Sequence, residues 1–186
     1  MELMTAIGQR RSVREYTQQP LTQGTLREII KAATEAPSAV NEQPWRFTVV
    51  SDKQLMARMS KDAKSHMLQG LTEAASADRF RTMLGDAKFN IFYDAPALVV
   101  ISAPRTSQWA IEDCALAAEN LMLAARSMNL GSCWIGFAQQ WLGTKEGHAA
   151  IQLDESQLPV APIIVGHPQG PAPAIPRREP VIQWIG

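Results

Sequence analysis

Net charge is what this 186-residue sequence most plainly lacks: 18 Lys and Arg stand against 18 Asp and Glu, for a formal charge of +0 at pH 7. No global field draws such a chain to nucleic acid or to an anionic membrane, so any anion site has to be local. Cysteine is scarce, and Cys114 and Cys133 lack the C-x-x-C spacing of a zinc or redox pair. Each reads as a small buried hydrophobe, a common setting for a free thiol. His66, His148 and His167 are scattered, with neither the H-E-x-x-H spacing of a metal helix nor a Ser, Cys or acidic partner in a hydrolase arrangement. Structural or surface roles are expected for them, with no metal and no catalytic triad. A G-x-G-x-x-G run is missing, and no Lys-Ser or Lys-Thr follows Gly136, which removes the Rossmann and P-loop nucleotide sites. No segment approaches the roughly 18 apolar residues of a spanning helix, and no basic stretch followed by an apolar run opens the chain. The expectation is a cytoplasmic protein.

What is present is enough for a core. Hydrophobic residues make up 46% and charged residues 19%, and a chain of this length buries roughly 70% of the surface it exposes unfolded. One domain over residues 1–186 is expected, with an arm from about 168. Residues 2–9 read as a short helix. Thr25-Leu26-Arg27-Glu28 has the form of a capping box, and Leu26, Ile29, Ile30 and Ala33 give the helix there one apolar face that should end near Pro37. Trp45 to Val50, rich in aromatic and β-branched residues, reads as a strand. Residues 53–90 read as helical with a mobile link. Ala95 to Ile101 is a continuous apolar run, as in a central strand covered on both faces. Ser107 to Met128 is the longest helix, apolar nearly all round and so expected to be buried, closed at Asn129-Leu130-Gly131 by a left-handed glycine. Cys133 to Phe137 and Pro162 to Gly166 read as two further strands, and Pro168, Pro171, Pro173, Pro176 and Pro180 punctuate an extended arm that ends in Val181-Ile182-Gln183-Trp184-Ile185. Alternating elements of this kind make an α/β or α+β layered domain.

Arg10, Arg11, Ser12 and Arg14 put three guanidinium groups and a hydroxyl within five residues. Guanidinium forks bind phosphate oxygens by paired charge-assisted hydrogen bonds, although such clusters are more often solvated surface. A second constellation, Pro37-Ser38-Ala39-Val40-Asn41-Glu42-Gln43-Pro44-Trp45, has the composition of a rigid turn. Together these segments resemble the nitroreductase family. The first matches R-R-S-V-R-x-(F/Y) from Arg10 to Tyr16, and the second matches P-S-x-x-N-x-Q-P-W at every fixed position. Gly131 to Phe137 is similar to the family's G-x-x-x-x-I-G-F element, and Arg177-Arg178-Glu179-Pro180 to its C-terminal K/R-x-R-x-P element.

The resemblance implies an α+β nitroreductase-like fold, a central β-sheet flanked by helices with an extended C-terminal arm, assembled as a homodimer with two FMN sites at the interface. It implies that Arg10 and Ser12 lie at the ribityl phosphate end, that Arg11 is a further cofactor contact, that Arg178 closes on the phosphate, and that Arg177 substitutes for a first basic residue where Pro176 stands. Arg14 falls toward the pyrimidine end, where a cation stabilises the negative charge of the reduced flavin. Its plain alternative is a surface ion pair with Glu15 or Glu28, worth at most about 1 kcal/mol. Pro37, Ser38, Ala39 and Asn41 are implied contacts to the flavin held mainly by the other subunit, with Gln43 and Trp45 structural and Trp45 in the core. The backbone at Gly136 is implied to approach flavin N5, while Ile135 stands where longer members carry an acidic side chain. The implied reaction is ping-pong, from NADH or NADPH to a small electron-poor acceptor such as a nitroaromatic or quinone. A specialised FMN-dependent oxidation or dehalogenation, decided by residues 60–93 over the substrate face, is one alternative. A flavin-binding sensor or carrier that turns over poorly is another.

Overall fold

The computed structural model describes residues 1–71 and 77–186. Helix α1 (Leu3–Gln9) is followed by α2 (Gln23–Thr34), whose first turn is closed by Thr22: its Oγ1 accepts from the Thr25 N–H at 3.0 Å. The capping box expected at Thr25 and Glu28 is thus corrected. Thr25 already lies inside the helix, because Thr22 follows Pro20-Leu21 and meets the first free N–H groups three residues earlier. The apolar face holds, with Leu26, Ile29 and Ala33 buried and Ile30 packed beside them.

Strand β1 (Arg46–Val50) leads into α3 (Lys53–Gly70), capped by Asp52, and α4 (Ala77–Gly85). The mobile link expected within 53–90 lies outside the described residues. Strand β2 (Ala97–Pro104) then crosses the core, α5 (Ala110–Ser127) follows, and β3 (Gly131–Trp134) runs into α6 (Gly136–Leu142), α7 (Lys145–Ala150) and β4 (Gln157–Gly166).

The four strands form one antiparallel sheet in the order β1-β2-β4-β3, which leaves β1 and β3 at the edges. The fold is α+β, with helices on both faces. The continuous apolar run of β2 is what two covered faces require: Ala97, Val99, Ile101 and Ala103 pack with α2 and α5, while Leu98 and Val100 pack with α3 and α6. Trp45 is buried in the first of these clusters. Strand β4 begins five residues before Pro162, since Pro159 and Pro162 are accommodated beside a bulge where Ile101 pairs with Ala161 and Ser102 with Pro159.

Three further expectations are corrected. The strand expected over 133–137 stops at Trp134, because Ala138, Trp141 and Leu142 share a helical face that is buried in the second cluster. Helix α5 is not covered all round: its Ala-rich side is buried, but Ile111 and Leu116 are exposed. At its end the left-handed residue is Asn129, at φ 59, and no glycine has positive φ. Gly131 serves close packing instead, since a Cβ there would meet the Val13 side chain at 2.7 Å.

Candidate functional site

The contact between Val13 and Gly131 organises the site. With no Cβ in the way, residues 12–13 lie alongside β3: Ser12 and Ser132 form a parallel bridge, and the Val13 N–H donates to the Ser132 carbonyl at 3.0 Å. Below it the Tyr16 hydroxyl, buried and pushed upward in pKa by that burial, donates to the Val13 carbonyl at 2.7 Å. The arginine-rich segment is therefore fixed across the end of the sheet, with Arg10 and Arg11 to one side of the bridge and Arg14 to the other.

On the Arg10 side a cleft of about 500 Å3 is lined by Gln9, Arg10, Arg11, Arg126, Asn129 and Ser132, with the arm from Pro168 to Ala174 as its outer wall. Arg10 Nε pairs with Glu119 at 3.3 Å, and Arg11 donates to the carbonyls of Gly8 and Arg10 at 2.8 and 2.7 Å. On the Arg14 side a second cleft, about 370 Å3, is lined by Arg14, Tyr93, Cys133, Trp134, Ile135, Gly136 and Phe137. Arg14 lies 5.8 Å from the centre of the Tyr93 ring. Burial raises the Tyr93 hydroxyl, and Arg14 partly offsets this. Burial likewise raises the Cys133 thiol against the pull of Arg14, so it stays protonated at neutral pH.

Of the residues singled out from sequence, the structure brings Arg10 and Arg11 into the first cleft and Arg14, Ile135 and Gly136 into the second, with Ser12 on the bridge between them. Pro37, Ser38, Ala39 and Asn41 line neither. Their loop is a 3-10 turn over Ala39–Asn41, held by the Ala39 N–H to Asp113 Oδ1 at 3.0 Å and by the Gln43 N–H to Ser38 Oγ at 2.9 Å. Arg178 is exposed on the arm and outside the lining of the first cleft. Sequence reading missed Arg126 and Asn129 at one end and Tyr93 at the other, and it singled out Ser132, Trp134 and Phe137 only as members of the Gly131–Phe137 element. Arg126 sits in the last turn of α5, where a cation complements the helix dipole and so carries no separate signal.

A model of the nitroreductase family matches residues 7–167. The chain belongs to the nitroreductase family. Among its relatives is a protein of Archaeoglobus fulgidus whose name places it with NADH dehydrogenases and NAD(P)H nitroreductases, 31% identical over 172 residues that cover 90% of this chain and 86% of the relative. The iodotyrosine deiodinase of Thermotoga neapolitana is 26% identical over 94% of this chain and 93% of its own. A crystal structure of a nitroreductase with bound FMN from Bacteroides fragilis superposes with a TM-score of 0.80 at 26% identity, covering 98% of this chain and 95% of that one. With this nitroreductase fold the chain is an oxidoreductase.

The residues present suit a mononucleotide flavin. Both clefts fall in the size range of small-molecule sites, and they flank the Ser12–Ser132 bridge, each with an arginine in its lining. A Cβ added at Gly136 would meet nothing within 4 Å, so the backbone there faces open space. As the first residue of α6, Gly136 also carries one of the N–H groups that a helix leaves without an internal acceptor.

Proposed function

We propose that this nitroreductase binds FMN across the two clefts that flank the Ser12–Ser132 bridge and works as an NAD(P)H-dependent reductase of electron-poor acceptors. The observation that carries the reading is the Ser12–Ser132 bridge, which sets an arginine-walled cleft beside a cleft built on Gly136. Arg10, Arg11 and Ser12 hold the phosphate end, and Arg178 closes on it from the arm. Arg14, in the second cleft, would hold the pyrimidine end, where its charge would favour the negative charge that reduction brings. Ile135 and the Gly136 N–H would serve the redox edge, the latter as a backbone donor toward N5. When bound, FMN would supply hydride transfer from NADH or NADPH to a nitroaromatic or quinone, in ping-pong order. The protein contributes binding, orientation and charge.

The active form in this reading is a homodimer. Loop residues Pro37, Ser38, Ala39 and Asn41 lie outside both clefts of their own subunit, so their flavin contacts are to the partner's cofactor. Apolar side chains are left exposed on α1 (Leu3, Met4), on α5 (Ile111, Leu116) and on the arm (Val181, Trp184, Ile185). Surface of this kind is what a partner covers.

The visible spectrum of purified protein supplemented with FMN tests the cofactor. Arg10→Ala and Arg178→Ala are each expected to lose about 1.5 to 3 kcal/mol of FMN binding, the worth of a hydrogen bond to a charged group. A colourless protein that takes up no FMN, or two variants with unaltered affinity, would remove the reading. The deiodinase relative keeps reductive dehalogenation as a second reading. Iodide release outpacing nitroaromatic and menadione reduction would favour it, and no turnover with either NADH or NADPH would favour a sensor or carrier.

A further inference from the structure

Arg126 is the residue in the first cleft that neither the motifs nor the fold's own packing explains. It stands in the last turn of α5, and one terminal nitrogen donates to Gln9 Oε1 at 2.6 Å, tying α5 to α1. That tether uses one of the five N–H donors of a guanidinium. Its Nε–H is shielded from solvent and meets no acceptor among the described residues. A surface tether does not need to hide a donor, and a helix-end cation does not need to line a cleft.

The charge balance of the cleft points the same way. Arg10, Arg11 and Arg126 line it together and no acidic residue does; the one carboxylate paired to any of them, Glu119, sits against Arg10. Two guanidinium charges, those of Arg11 and Arg126, are left without a carboxylate partner among the described residues. Like charges drawn together in a concave wall repel unless an anion joins them. A phosphate monoester carries about −1.5 to −2 at neutral pH, which matches this surplus.

The geometry points to Arg126 as a third phosphate-binding residue, reaching from the end of α5 to the phosphate of the flavin beside Arg10 and Arg11. This rests on the FMN reading above and adds to it a contact contributed by a helix remote from the arginine motif. It also gives Gln9 a function: its amide oxygen holds one end of a guanidinium that lines the cleft. The recognised group is the phosphate, so selectivity for FMN over riboflavin is where Arg126 acts.

The test measures dissociation constants of apo-protein for FMN and for riboflavin by quenching of flavin fluorescence, in wild type, Arg126→Gln and Arg126→Lys. The glutamine can still reach Gln9 but carries no charge; the lysine keeps the charge. Arg126→Gln is expected to weaken FMN roughly tenfold to a hundredfold, as for a hydrogen bond to a charged group, with riboflavin affinity unchanged. Arg126→Lys should recover most of the loss, and added inorganic phosphate should compete with FMN in wild type more strongly than in Arg126→Gln. Wild-type FMN affinity in Arg126→Gln would overturn the assignment while leaving the FMN reading intact. An equal loss for FMN and riboflavin would overturn it too, showing a role in the α1–α5 tether alone. A wild-type protein that binds neither flavin would overturn the FMN reading itself and this assignment with it.

Discussion

Replacing Gly131 by alanine tests whether close packing of the arginine segment on β3 builds the site. The new Cβ would lie 2.7, 2.7 and 2.8 Å from Val13 Cβ, Cγ1 and Cγ2, against about 3.5 to 4.0 Å for relaxed carbon contacts. Rotation about the Val13 side chain cannot relieve this, because one of the three atoms is the Cβ itself and moves only with the backbone. That backbone is pinned by the Val13 N–H to the Ser132 carbonyl at 3.0 Å and by the Tyr16 hydroxyl to the Val13 carbonyl at 2.7 Å. The strain therefore falls on the bridge between the two clefts. An overpacked contact of this sort costs about 1 to 3 kcal/mol. Urea denaturation followed by tryptophan fluorescence should show that loss with an unchanged m-value, and FMN affinity should fall as well, since Arg10 and Arg14 shift relative to each other. Val13→Ala removes the two Cγ clashes but leaves the Cβ, so the double variant Gly131→Ala/Val13→Ala should regain part of the loss beyond additivity. A Gly131→Ala protein with wild-type stability and wild-type FMN affinity would refute the packing argument.

Asp113→Ala strips the acceptor from the Ala39 N–H and should cost about 1 to 3 kcal/mol in urea titrations, while Asp113→Asn keeps an oxygen there and should cost less; equal losses would show that the contact does not anchor the loop. Burial, helped by Asp113, pushes the Cys114 thiol up to about 12 from 9.0, so the folded chain keeps that proton longer than the unfolded chain. The resulting stability is full below pH 9 and is lost as pH climbs toward 12; urea midpoints of wild type minus Cys114→Ala should fall across that window and stay flat below it, and a flat difference throughout would contradict the shift. Deleting residues 175–186 removes Val181, Trp184 and Ile185 together, and light scattering should show the proposed dimer shifting toward monomer, whereas Arg178→Ala should leave it dimeric. A truncated chain that remains fully dimeric would show that the arm does not hold the subunits together.

How much was legible in the sequence follows from which interactions are local. The apolar face of α2, the fully covered β2 and the buried Trp45 were readable because periodicity and run length report how many faces of an element meet the core. The cap of α2 was misplaced because Thr22 and Thr25 are both acceptable caps, and only the backbone at the turn selects between them. Helix α6 was hidden because its first residues continue the apolar run of β3, and the change of period becomes visible only at Ala138, Trp141 and Leu142. In the candidate site the contiguous pieces, Arg10 to Arg14 and Ile135 to Gly136, were found from motifs. Arg126 and Tyr93 were not, since each reaches the clefts only through the packing of elements far apart in sequence. The role of Gly131 was misjudged for the same reason: its requirement comes from Val13, more than a hundred residues away, and not from its own φ.

The loop that lines neither cleft is also the most strained segment near them. Val40, Asn41 and Gln43 have φ of 45, 58 and 50°, a region that costs non-glycine residues on the order of 1 to 3 kcal/mol each, and a β-branched valine more than asparagine. The chain stabilises this shape with a buried carboxylate: one Asp113 oxygen accepts from the Ala39 N–H and the other has no partner among the described residues, a second expense in the same place. Neither cost improves packing within the subunit, for the strained Val40 side chain is 91% exposed. Strain maintained on a surface is explained by what the surface meets. In the proposed dimer the loop is shaped in advance for the partner's flavin, so binding does not have to meet the cost of ordering it. In that dimer the arm and the loop have opposite tasks. The arm is unstrained and exposed along its length, suited to being ordered by a second subunit, whereas the loop is rigid beforehand and suited to position polar groups against a cofactor it does not itself enclose.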